Sequence, residues 1–145
     1  SGKVAAVMGP FKTYETVILA EHGYRAGYFE LENYGVPSYD ELIFVAGPRA
    51  VADQETRLLA FSQAVQAGID EARKDPDAAL ADYLRAVPEA DPKIESEAFR
   101  LTLPFYAETQ RSDLDRWRRF AEFAVRYGLI ERPLDIERLF SGKAD

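Results

Sequence analysis

The chain has 145 residues, 47% hydrophobic and 30% charged, a composition of ordinary globular proteins that excludes a disordered or fibrous chain. Its net charge of −7 argues against nucleic acid as a partner, because phosphate neutralisation needs clustered Lys and Arg. It has no cysteine and a single histidine, His22, which removes disulfides, thiolate catalysis, iron–sulfur clusters and His-rich metal sites.

In chain order, the first element is "KVAAVMG", Lys3 to Gly9, an apolar run ending at Gly-Pro and expected as a buried strand. Val17, Ile18 and Ala20 then predict a short helix over Thr13 to His22, with Gly23 at its stop. "RAGYFE", Arg25 to Glu30, reads as a second strand. The polar run "ENYGVPSYD" separates it from a third, "ELIFVA", Glu41 to Ala46. In that separating run Pro37 restricts Val36, and Gly35 can take a positive φ.

Beyond Pro48 the pattern turns helical. Leu58, Phe61, Val65, Ile69 and Ala72 recur at three- and four-residue spacing, predicting one amphipathic helix from about Asp53 to Lys74. Asp75-Pro76 and Asp91-Pro92 each place a capping carboxylate before a first-turn proline, so each begins a helix. Pro104 should end or kink the second of these. A further helix is expected with Ser112 as N-cap and Gly128 as stop, its apolar stripe running through Leu114, Trp117, Ala121 and Ala124. Within it "RWRRF", Arg116 to Phe120, lies between Asp113, Asp115 and Glu122 and reads as a solvated face. Leu134 to Phe140 closes the chain as a short amphipathic piece. No apolar run is long enough to span a bilayer, and "SGKVAAVMG" does not read as a signal peptide.

Three blocks carry a resemblance: "SGKVAAVMGPFKTYE", "YGVPSYDELIFVAG" and "LLAFSQAVQAGIDEARKDPDAALADYL". Together they resemble the NMT1/THI5-like proteins, thiamine-pyrimidine-binding proteins of the type II periplasmic-binding fold. The resemblance implies an α/β fold, and specifically the C-terminal part of a two-lobed protein, with few strands followed by a helix-rich tail. Residues 1–38 would end the second lobe and form the return crossing, and residues 39–145 would complete the first lobe. An N-terminal part of the same protein would then lie elsewhere, the chain being a fragment, a cleaved product or a shortened form. The implied function is solute binding for an ABC importer, outside the cytoplasm, with an aminopyrimidine as ligand, a transporter permease as partner, and no cofactor. "KVAAVMG" lacks an acidic residue often found in that stretch of the family.

Five residues are candidates for ligand contact. Glu15, in "GPFKTYET", offers a carboxylate to an exocyclic amine and a protonated ring nitrogen; its alternative role is a first-turn glutamate favoured by the helix dipole. Phe11 and Tyr14 flank it and could stack on a planar ring or pack in a core. Tyr34 and Tyr39 bracket Gly35-Val36-Pro37, facing either the cleft or the interior. Asp40 and Glu41 are adjacent, so on a strand they would face opposite sides and make no carboxylate dyad. His22 and Trp117 read as structural, and no catalytic or metal-binding set is recognised.

Two other functions stay open. One is the family's single-turnover aminopyrimidine phosphate synthase, which uses pyridoxal phosphate, a donor histidine and iron near a cysteine-rich patch; that patch would fall at "YDELIFVAG", where this chain has no cysteine. The other is a helical interaction module without a small ligand.

Overall fold

Three helices in the computed structural model start on the same device, an aspartate whose side chain accepts from the exposed N–H groups of the first turn. Asp75 accepts from Ala78 N–H at 3.0 Å, Asp91 from Lys93 at 2.9 Å, and Asp113 from Asp115 at 3.0 Å. The helices they open are α4 (Pro76–Ala86), α5 (Pro92–Thr102) and α6 (Leu114–Arg126). The structure describes residues 3–141. Earlier in the chain lie α1 (Glu15–Glu21), α2 (Pro48–Asp53) and α3 (Glu55–Lys74), and after α6 comes α7 (Ile136–Ser141).

The expected helix boundaries hold with local corrections. Asp113, not Ser112, caps α6, because its carboxylate also reaches Arg116 N–H at 3.1 Å. The helix ends as foreseen: Gly128 has φ +69° and its N–H bonds to Val125 O at 3.1 Å. Pro104 closes α5 by turning the chain into a 3-10 turn, Leu103–Phe105. The extra helix α2 begins at Pro48, a proline at the first helical position that reads equally well as a loop residue.

The three expected strands are not present. "KVAAVMG", "RAGYFE" and "ELIFVA" run as irregular backbone, and among the described residues no strand occurs at all. An apolar run becomes a strand only when a neighbour satisfies its N–H and C=O groups, and here no ladder does so. Their side chains stand accordingly in the open: Met8 is 92% exposed and Val45 84%. The α/β expectation is thus corrected to a helical chain with unpaired apolar runs.

The chain divides into two units. The first comprises Ser1–Tyr28 and Val65–Thr109. Here α1 and α5 run antiparallel, joined near one end by Thr13 and Thr102, whose hydroxyls lie 2.8 Å apart, and near the other by the Lys93–Glu21 ion pair. Val17 and Ala98 are buried. The C-terminal half of α3 is tied to the segment after α5, with Gln66 donating to Glu108 O at 3.1 Å and Arg73 to Tyr106 O. An open groove of about 680 Å³ follows α1 and α5, lined in part by Glu21, Lys93, Ser96 and Arg100.

The second unit comprises Phe29–Ala64 and Gln110–Asp145. It contains the 3-10 turn Leu31–Tyr34, α2, the start of α3, α6 and α7. Helix α7 is held to α6 by Arg118, which pairs with Glu137, and by an edge-to-face contact of Trp117 with Phe140 at 5.0 Å. Ala124 and Ile136 are its buried apolar residues.

Candidate functional site

In the first unit, Phe11, Tyr14 and Glu15 sit on one tight turn that opens α1. Tyr14 and Glu15 both donate their backbone N–H to Phe11 O, at 3.1 and 3.0 Å. The Glu15 carboxylate folds back in return and accepts from Phe11 N–H at 2.6 Å. That contact satisfies one donor through one carboxylate oxygen; Glu15 stands in the first turn of α1, where the helix dipole favours it, and acceptor capacity remains.

Tyr14 is anchored at its tip. Its hydroxyl donates to Glu95 Oε1 on α5 at 2.9 Å. The bond to Glu95, with a smaller contribution from burial, raises the phenol above its ordinary value of 10.0. The hydrogen bond to Glu95 ties the tip of the ring to α5. Phe11 is 38% exposed, and its ring has no such anchor at a polar tip. Lys12, between them, places its ammonium 4.9 Å from the Phe105 ring centre and 5.4 Å from that of Tyr28, a cation–π arrangement. The structure thus brings three of the five predicted contact residues onto a single turn.

Tyr34 and Tyr39 belong to the second unit and are placed differently. Tyr34 is 69% exposed and makes an edge-to-face contact with Phe29 at 5.6 Å. Gly35, next to it, has φ +88°, the left-handed conformation that glycine takes without strain. Tyr39 is half-buried against Phe120 of α6, ring centres 4.9 Å apart, and loss of solvent raises its hydroxyl's pKa. Packing therefore claims most of the Tyr39 ring.

The residue missed by the sequence reading is Asp40. One of its oxygens accepts from the Arg116 guanidinium and the other from the Trp117 indole N–H, the latter at 3.0 Å. The basic run "RWRRF" is accordingly not a solvated face throughout, since Arg116 is committed to Asp40 and Arg118 to Asp115 and Glu137. A signal was available in Asp40 following the aromatic Tyr39, but its donors lie 76 and 77 residues further on. Tyr39, Asp40, Arg116, Trp117 and Phe120 surround a notch of only about 80 Å³, well below the roughly 300 Å³ at which small-molecule pockets begin.

No group of three or more His, Asp or Glu side chains able to hold a metal ion occurs among the described residues. His22 lies at the end of α1 with Nδ1 2.8 Å from Ile18 O, a helix-end contact.

Comparison with known proteins places the chain in a family. The chain is 34% identical over 139 residues to a Haemophilus influenzae protein named as a thiamine biosynthesis protein, covering 94% of this chain and 44% of that one. It is 28% identical over 157 residues to the formylaminopyrimidine-binding protein of Halalkalibacterium halodurans, covering all of this chain and 46% of the relative. The chain therefore spans less than half the length of these curated relatives. No solved structure matches it. The profile of the family described as NMT1/THI5 like matches residues 1–79, which contain the Phe11–Glu15 turn and the Tyr34–Asp40 segment, and the chain belongs to that family.

Proposed function

We propose that the chain is part of a solute-binding protein that takes an aminopyrimidine precursor of thiamine and delivers it to an ABC importer. The observation that carries this reading is the Phe11–Glu15 turn: a carboxylate with spare acceptor capacity beside two aromatic rings, one fixed by Glu95. An aminopyrimidine offers a flat ring to stack and a donor pair for a carboxylate. The named activity of the H. halodurans relative supports the same ligand class.

In this reading Glu15 is the anchor and Phe11 and Tyr14 supply aromatic faces, with Tyr34 and Tyr39 as further candidate contacts. The ligand lies in the cleft of the two-lobed fold that the family resemblance implies. Residues 1–38 belong to the second lobe and 39–145 to the first. The exposed runs "KVAAVMG" and "ELIFVA" are strand sequences whose partners come from an N-terminal part of the same protein, which supplies the ladder they lack here. The permease would be a separate protein, and the binding protein would work outside the cytoplasm, in the periplasm or anchored to the membrane.

Calorimetric titration of the complete protein with formylaminopyrimidine and with hydroxymethylpyrimidine tests this function. Saturable binding of either supports it. Silence with both, in a protein shown to be folded by thermal denaturation, would sink it.

A further inference from the structure

The contacts of Asp40 have a consequence for the segment in front of it. Both of its oxygens are used, and by consecutive residues of α6: Arg116 and Trp117. Its side chain is 24% exposed and that of Arg116 is 38% exposed, so the pair is partly shielded from water. Arg116 is itself steered by Asp113, whose Oδ2 lies 4.0 Å from the second guanidinium nitrogen. One turn further along α6, Phe120 receives the ring of Tyr39. Positions 116, 117 and 120 lie along one side of the helix, so Tyr39 and Asp40 are seated on a single strip.

At the other end of the segment, Gly35 turns the chain at φ +88° after the 3-10 turn. Between these fixed points lie only Val36, Pro37 and Ser38, and Pro37 stiffens both itself and Val36. Such a short, stiff connection has few conformations once both ends are held. The notch beneath Tyr39 and Asp40 is too small for a heterocycle. These contacts are thus a fastening and not themselves a ligand pocket.

We propose that Asp40 is a positioning residue: by gripping Arg116 and Trp117 it fixes the Gly35–Tyr39 segment on α6 and sets the rings of Tyr34 and Tyr39 for the ligand. The inference rests on the pyrimidine-binding reading for its ligand half, whereas the fastening itself does not depend on it. Asp40 touches no ligand and acts only through the tyrosines.

The test compares three variants of the complete protein. Asp40→Ala removes both acceptors, Asp40→Asn keeps an acceptor for the indole but loses the charge, and Asp75→Ala lowers stability at a remote helix cap. Hydrogen exchange is read at the Val36 amide, bonded to Leu31 O, and at the Trp117 indole N–H, bonded to Asp40, and affinity by titration with formylaminopyrimidine. Asp40→Ala is expected to speed exchange of both protons and weaken affinity by about tenfold each, as loss of hydrogen bonds to a charged group allows. Asp40→Asn falls between wild type and Asp40→Ala, and keeps the test alive if the alanine variant does not fold. Asp75→Ala leaves both readouts unchanged despite its lower melting temperature.

Unchanged exchange in the Asp40 variants overturns the proposal outright. Faster exchange with unchanged affinity overturns the positioning role, leaving a purely structural pin. A wild-type protein that binds no pyrimidine overturns the binding reading and with it the ligand half, and exchange then decides the fastening alone.

Discussion

The Tyr14 hydroxyl and the Glu95 carboxylate meet at 2.9 Å although 81 residues separate them in the chain. The bond pins the turn that carries Glu15 to the first turn of α5, so the orientation of a predicted contact residue is set by a helix that follows much later. Tyr14→Phe removes the bond but keeps the ring. Because the bond is exposed, the expected cost is at the low end of the usual range, about 0.5 kcal/mol. The pH dependence is more diagnostic. The folded phenol titrates above 10.0, its unfolded value, so its contribution is fully present below that pH and lost as pH rises through the raised value. Thermal denaturation between pH 8 and 11 should show a wild-type alkaline loss that Tyr14→Phe lacks in part.

Glu15 has two separable jobs, accepting from Phe11 N–H and offering a carboxylate to ligand. Glu15→Gln retains an acceptor for the amide but not the charge. It should leave the melting temperature within about 1 °C, a shift that corresponds to a few tenths of a kcal/mol. Affinity for formylaminopyrimidine should fall by about tenfold to a hundredfold, the worth of a charged hydrogen bond. Equal affinities for wild type and Glu15→Gln would remove Glu15 from the site.

Arg118 joins α6 to α7 through Glu137 and also holds Asp115. The bond from Arg118 keeps the Glu137 carboxyl below its ordinary value of 4.5. A depressed carboxyl contributes stability above its unfolded pKa and loses it as pH falls through the folded one. Glu137→Gln should therefore be indistinguishable in its acid response from a protein already protonated there, with a shallower fall in stability below about pH 4.5 than wild type. Acid titration followed by circular dichroism measures the difference.

Gly35 is the hinge of the tyrosine segment. A Cβ placed on it would meet nothing within 4 Å, so Gly35→Ala costs only the left-handed backbone at φ +88°. That is about 1 kcal/mol. If the turn relaxes instead, exchange at Val36 rises and the stability loss is smaller, and hydrogen exchange with thermal denaturation tells the two apart.

Much of the helical half was legible because its signals are local. Asp75-Pro76, Asp91-Pro92 and Gly128 act within a turn of where they stand, and the structure uses each at the helix end it marks. The family likeness was legible as well, because it is carried by contiguous blocks of sequence, and the family profile matches residues 1–79. The apolar runs were read as hydrophobic strands but form none among the described residues, since a strand needs a partner's backbone and periodicity cannot say whether one is there.

Asp40 marks the limit. Its place beside Tyr39 is given by the sequence, but the carboxylate's role is decided by Arg116 and Trp117, brought to it only by folding. Tyr39 likewise could face ligand or interior until Phe120 arrived beneath it. The sequence determined where helices begin and end and which family the chain belongs to, because caps, stops and short motifs are chemistry between near neighbours. Only the tertiary structure decided which charges are paired and which aromatic rings are held, because those contacts close loops of some eighty residues that no local pattern encodes.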